Sequence, residues 1–236
     1  MSININNIMV ELKSNDYVGI SFWLISISLA ATTGFLVVER PSIEEKWKTP
    51  TTVGALVTGI AAVHYFYMRK LWVKNQSSPV VYRYIDWFLT VPLQIIEFYL
   101  ILSVASKIPK EVFYKLLGAS ILMLLAGFLG ETGIINRMLG FTIGTIAWLY
   151  IIYEIFFGDA AKYKNETKDK SVVFAFDALK YIVTIGWAIY PIGYLLKEKN
   201  LNLVYNIGDL VNKILFALII WFAGKKLSLK NTENNL

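Results

Sequence analysis

Residues 82–102 read YRYIDWFLTVPLQIIEFYLIL, and the fold is decided there. The stretch is apolar over nearly the ~20 residues that, at ~1.5 Å of helical rise each, cross the hydrocarbon of a bilayer. Yet it carries Arg83, Asp86 and Glu97, and charge at that depth is costly. At ~100° per residue, Thr90 falls about 40°, Glu97 about 20° and Arg83 about 60° from Asp86, so all four share one helical face. The two carboxyl groups then stand about 16 Å apart along that side. A polar stripe turned toward other helices would account for such a face; two aligned acids favour a route for protons.

The rest of the chain suits a bilayer. Of its 236 residues 56% are hydrophobic and only 17% charged, with a mean hydropathy of +0.52, which excludes an ordinary soluble domain. The formal net charge of +6 and pI near 9.3 do not point to nucleic acid, because the basic residues sit in short loops between apolar runs, where they orient helices. The absence of cysteine excludes disulfides and thiolate metal sites, and a single histidine excludes a multi-histidine metal centre. No metal ligand set is predicted.

Apolar spans are predicted at about residues 17–38, 51–67, from Val80 through the opening stretch, 112–129, 138–157, 174–196 and 203–223. Arg69 and Lys70 are expected to close the second, the AKYKNETKDKS segment to form the longest charged loop, and Pro92 and Pro191 to mark bends within helices. Residues 1–16 read as an exposed tail without signal-peptide character, and residues 224–236 as a polar, frayed cytoplasmic tail. The expected fold is therefore an all-α membrane protein, a single seven-transmembrane-helix bundle over residues 1–236. An odd number of spans puts the termini on opposite sides. With the amino terminus outside, Arg40, Lys46, Lys48, Lys107, Lys110, Lys115, Lys162, Lys164, Lys168, Lys170, Lys225, Lys226 and Lys230 collect inside. The outer loops then hold fewer cations, so a cytoplasmic carboxyl terminus is predicted.

The last span holds Asp209 and Lys213 four residues apart on one face. Lys213 lies about ten residues from either end, too deep for its amine to reach water. Two readings are open: a structural ion pair with Asp209, or a desolvated amine that condenses with an aldehyde to form a Schiff base. Depth links the helices. Counted from the outer boundary, Asp86 and Asp209 each lie about six residues in, Thr90 and Lys213 about ten. His64 reaches nearly the level of the aspartates, and Glu97 lies beyond the lysine in the inner half, among Ile95, Ile96, Phe98 and Leu100. Asp86 and Asp209 would neutralise a protonated Schiff base, Arg83 would balance the second negative charge, and Glu97 would hold a proton.

YRYIDWFLTVP on the third span, WAIYPIGY on the sixth and GDLVNKILFALIIW on the seventh closely resemble the microbial rhodopsins, in particular the proteorhodopsin group of light-driven proton pumps. The resemblance covers essentially all seven spans. It implies that Lys213 carries all-trans retinal covalently, Asp86 is primary counter-ion and proton acceptor, Asp209 the second counter-ion, Thr90 its hydroxyl partner, and Glu97 the cytoplasmic proton donor. Asp86, Thr90 and Glu97 together resemble the proton-pumping triad, unlike the triads of chloride pumps, sodium pumps or typical sensors. His64 in VHYFYMR resembles the histidine that hydrogen-bonds the acceptor carboxyl and faces a neighbouring protomer near Trp23; on residue type alone, a packing histidine is the competing reading. Gln94, about 80° from Asp86 on the helix, resembles the blue-absorbing type. Trp87, Trp187, Tyr190 and Pro191 look like walls of the retinal pocket, against the alternative of a generic aromatic core. Tyr65, Glu131 and Glu154 stay unassigned.

The function these features predict is an outward, light-driven proton pump in a bacterial-type inner membrane. It handles protons among membrane lipids and assembles as a pentamer or hexamer, without enzymatic turnover of a substrate. The alternative is a sensory photoreceptor of the same fold with a slow photocycle, against which the deep inner Glu97 argues.

Overall fold

The computed structural model describes residues 12–196 and 198–233 and contains seven helical spans long and apolar enough to cross a membrane. The first is α1 (Tyr17–Glu39), followed by two short 3-10 turns and α2 (Lys48–Asn75), α3 (Val80–Ala105), α4 (Lys110–Glu131) and α5 (Arg137–Phe156). A short α6 (Asp159–Glu166) precedes a sixth span in three pieces: α7 (Lys170–Tyr181), a π-turn (Ile182–Gly186) and α8 (Ile189–Leu195). The seventh, α9, runs Glu198–Glu233.

Sequence fixes the ends of several helices locally. The Asp16 carboxylate accepts the Gly19 N–H at 2.9 Å and the Trp72 indole N–H at 3.0 Å, which caps α1 and ties it to the far end of α2. Asn136 caps α5 through Met138 and Leu139, and Asp169 caps α7 through Ser171 and Val172. The α4–α5 turn needs Gly133, whose φ of 77° is open to glycine and strained for other residues. Such short links make consecutive helices antiparallel neighbours.

Each span keeps an apolar side outward, as Val38 (76% exposed), Val63 (70%) and Ile185 (71%) illustrate. A bilayer solvates these side chains, whereas the inward sides bury polar groups that hydrocarbon would not accept. On α3 the buried side includes Arg83, Asp86, Trp87, Thr90, Gln94 and Glu97, the face the opening stretch predicts. The buried side of α9 adds Asn202, Asn206, Asp209, Asn212 and Lys213.

Several expected boundaries shift. The α2 helix does not stop at Tyr67: it continues through Arg69 and Lys70 to Asn75, because charge ends a hydrocarbon span without ending a helix, and Arg69 lies over the Trp23 ring at 4.8 Å. Part of the charged loop is helical, as α6. Pro92 leaves α3 a single helix, and the irregularity in the sixth span begins at Ile182, upstream of Pro191. The α9 backbone stays helical to Glu233, past Gly224, where a frayed tail was expected. Of the expected amino-terminal tail, residues 1–11 lie outside the described residues.

Candidate functional site

The bundle centre is built around the Lys213 amine, 1% exposed on α9. It forms an ion pair with Asp86 Oδ2 from α3, and stands 3.2 Å from Asp209 Oδ2, one turn earlier on its own helix. Both carboxylates are fully buried, so the cation offsets a desolvation that neither acid could sustain alone. Two acids facing one amine leave a surplus negative charge, and the surrounding donors show where it is held.

Asp209 is the more heavily solvated by protein. Tyr65 donates its hydroxyl to Oδ2 at 2.6 Å, Tyr190 to Oδ1 at 2.7 Å, and the Trp87 indole lies 3.2 Å from Oδ2. Asp86 is solvated far less. Its Oδ1 makes no hydrogen bond among the described residues. The contrast suits a permanently charged acid beside one free to change protonation.

Arg83 balances the pair at one remove. Its guanidinium donates to the Tyr65 hydroxyl at 3.1 Å and to the side-chain carbonyls of Asn202 and Asn206, each at 2.9 Å. Tyr65 thus joins the arginine to Asp209, a role the sequence reading left unassigned. Its signals were available: Tyr65 adjoins His64, and Asn202, Asn206, Asp209 and Lys213 follow a 4-3-4 spacing that puts all four on one helical face.

Two expected contacts differ in detail. Thr90 directs its hydroxyl to the backbone carbonyl of Asp86, at 2.9 Å, rather than to a carboxylate, a common choice for a helical threonine with a carbonyl one turn back. His64 Nδ1 lies 3.0 Å from the Ile60 carbonyl and 3.9 Å from Asp86 Oδ1, so it flanks the acid without hydrogen-bonding it. Glu97 lies on the same face of α3 as Asp86. It is fully buried, and neither carboxyl oxygen has a hydrogen-bond partner among the described residues.

A cavity runs from Lys213 and Asp209 between Trp87, Val91, Gln94, Met123, Trp148, Trp187, Tyr190 and Pro191, so every residue expected as a pocket wall lines one space. Two glycines on its lining let the helices pack closely there: a Cβ at Gly127 would stand 2.8 Å from the Tyr84 hydroxyl, and one at Gly144 3.3 Å from the Met123 carbonyl. Retinal fits these residues, with aromatic walls for an apolar polyene and a buried primary amine at one end to bond its aldehyde. Trp87 and Tyr190 have a double duty, since each also donates to Asp209. Gln94 Nε2 is buried against the cavity with no hydrogen-bond partner among the described residues, a dipole placed among apolar walls. Of the unassigned acids, Glu131 receives the Tyr84 hydroxyl at 3.0 Å and Glu154 that of Tyr150 at 2.9 Å.

Comparison with known proteins agrees with this geometry. Residues 16–227 match the family described as bacteriorhodopsin-like protein. The chain is 49% identical over 219 residues to the green-light absorbing proteorhodopsin of gamma-proteobacterium EBAC31A08, covering 89% of this chain and 88% of the relative. It is 47% identical over 220 residues to the blue-light absorbing proteorhodopsin of gamma-proteobacterium Hot 75m4, covering 89% and 87%. Among solved structures, that of blue light-absorbing proteorhodopsin from Med12 superposes with a TM-score of 0.80 at 50% identity, over 89% of this chain and 99% of that one. The multi-pass bundle, the paired acids around a buried lysine and these similarities agree: the chain belongs to the bacteriorhodopsin-like family, in its proteorhodopsin group.

Proposed function

We propose that this protein is a light-driven outward proton pump with all-trans retinal joined covalently to Lys213 as a protonated Schiff base. One observation carries the reading: the buried Lys213 amine faces Asp86 and Asp209, while a third buried acid, Glu97, waits on the same face of α3 about three turns further along. When bound, retinal supplies a light-triggered change of shape that lowers the proton affinity of the nitrogen it shares with Lys213.

The chain's own groups turn that change into direction. Asp86 Oδ2, in contact with Lys213 Nζ, is placed to accept the proton, and its Oδ1, with no hydrogen-bond partner among the described residues, leaves it little to lose on neutralisation. Asp209 stays charged, because Tyr65, Tyr190 and Trp87 all donate to the carboxylate. Arg83, held on the outer side by Asn202 and Asn206, keeps that charge balanced as the proton leaves Asp86. Glu97, buried with no hydrogen-bond partner among the described residues, is the proton donor and resupplies Lys213 Nζ from the inside. Acceptor outside and donor inside together give outward transport.

The same reading puts the amino terminus outside and the carboxyl terminus in the cytoplasm, in a bacterial-type inner membrane, with residues 1–236 as one domain. Gln94 favours the blue-absorbing type. His64 and the partly exposed Trp23, 5.7 Å from the Phe66 ring, are proposed to lie near a protomer interface of a pentamer or hexamer. No substrate bond is made or broken, so the activity is transport and not enzyme catalysis. Illumination of retinal-loaded cells is the test: the medium acidifies, and a protonophore abolishes the signal. A normal visible band without acidification would favour the sensory reading instead.

A further inference from the structure

The sixth span carries a backbone defect that a side chain of α9 repairs. Within the π-turn Ile182–Gly186, the Trp187 N–H bonds the Ile182 carbonyl at 2.9 Å, five residues back. That leaves the Val183 carbonyl without its regular helical donor, and the Trp148 indole supplies one at 2.9 Å. Gly186 is in a harder position. Its regular partner would be the Tyr190 N–H, which bonds the Trp187 carbonyl instead, at 3.1 Å; one residue further is Pro191, which has no N–H. Neither an α nor a π bond is open to the Gly186 carbonyl. A carbonyl left that way inside a helix bundle, away from bulk water, is costly.

Asn212 fills the gap from α9. Its side-chain amide, 2% exposed, donates to Gly186 O at 2.9 Å and lies 3.4 Å from the Tyr190 hydroxyl, which itself donates to Asp209. The approach is close enough to require glycine, since a Cβ at position 186 would collide with Asn212 Oδ1. Asn212 also precedes Lys213 directly. One amide group therefore touches both the weak point of the sixth span and the hydroxyl that solvates the second acid. On the inner side of that weak point, Phe176 of α7 packs edge-on against Phe98 at 5.3 Å, next to Glu97.

We propose that Asn212 is a positioning residue, a latch that couples the Tyr190–Asp209 bond to the closure of the sixth span over the path to Glu97. While Tyr190 is held by Asp209, its hydroxyl accepts from Asn212 and steadies the amide against Gly186 O, so the π-turn is pinned to α9. When charge moves between Lys213 and Asp86, Tyr190 shifts on Asp209, the amide is drawn from Gly186 O, and α7 can swing away from Phe98. This use of the latch rests on the proton-pump reading; the mechanical coupling does not.

Amide hydrogen exchange across residues 182–190 in the dark tests it without relying on transport. Asn212→Leu, which keeps bulk but removes the amide, is expected to speed exchange in this segment about tenfold. Tyr190→Phe is expected to speed it too, yet to add nothing in the Asn212→Leu background, because both changes open the same latch. Asn212→Ala, which adds no bulk, serves if the leucine variant does not fold. Unchanged exchange in the Asn212 variants would overturn the latch, and independent additive effects of the two substitutions would overturn the coupling. A wild-type protein that moved no protons in light would remove the pump reading and leave the exchange result to decide the latch.

Discussion

Replacing Tyr65 by phenylalanine removes one oxygen that serves two charges, since it donates to Asp209 at 2.6 Å and accepts from Arg83 at 3.1 Å. Two scales bound the effect. Hydrogen bonds to charged groups contribute ~1.5–3 kcal/mol, whereas interhelical hydrogen bonds in membrane bundles average ~0.6 and reach ~1.7 kcal/mol. Asp209 keeps Tyr190, Trp87 and Lys213, and Arg83 keeps both asparagines, so neither charge is stranded and the ~3–5 kcal/mol of a broken buried pair does not apply. A loss of about 1.5 kcal/mol, roughly tenfold in the unfolding equilibrium, is expected. Equilibrium unfolding in mixed micelles, followed by circular dichroism, measures it. Tyr153→Phe is the control, because Tyr153 is 54% exposed toward lipid, and it should change stability by under ~0.5 kcal/mol. If Tyr65→Phe cost no more than the control, the hydroxyl would not be the link between the arginine and the acid.

Other predictions follow from the same site. Glu97→Gln keeps the shape and removes the transferable proton, so reprotonation of the Lys213 nitrogen after a flash should slow by about 10²-fold or more; an unchanged recovery in flash spectroscopy would end its role as donor. Gln94→Leu removes a dipole from the cavity wall and should move the visible absorption band to longer wavelength, and an unmoved band would refute the tuning role. Asp86→Asn leaves the Lys213 nitrogen without its contacting acceptor, so light-driven acidification should disappear while Asp209 still supports pigment; pumping at wild-type rate would reassign the acceptor.

Much of this arrangement was legible because helical geometry is rigid over short distances. The face shared by Arg83, Asp86, Thr90 and Glu97 needed only the 100° step, and the bilayer supplied a common ruler for bringing Asp86 to the level of Asp209 and Lys213. Interhelical hydrogen bonds were less accessible. That Tyr65 reaches Asp209 depends on how α2 packs on α9, which no periodicity encodes; matching the depth of every polar residue on α2, and not of His64 alone, would have raised it as a candidate. The amides of Asn202 and Asn206 were visible as a 4-3-4 continuation of Asp209 and Lys213, but neutral side chains attract less notice than charges as partners for an arginine. Hydroxyl and imidazole orientations lay beyond the sequence, since Thr90 and His64 each had a backbone carbonyl one turn back competing for the same group. The π-turn was hidden for a related reason. One inserted residue alters a hydrophobic period too little to detect, and Pro191 drew the expected bend downstream of where the backbone departs from the α-helix.

Borohydride reduction of the retinal-loaded protein under illumination, followed by proteolysis and mass analysis, tests the central claim most directly. The account predicts a retinyl group on the Lys213 peptide and no coloured product from Lys213→Ala. A label on any other lysine, or a wild-type protein that stays colourless with retinal supplied, would contradict it.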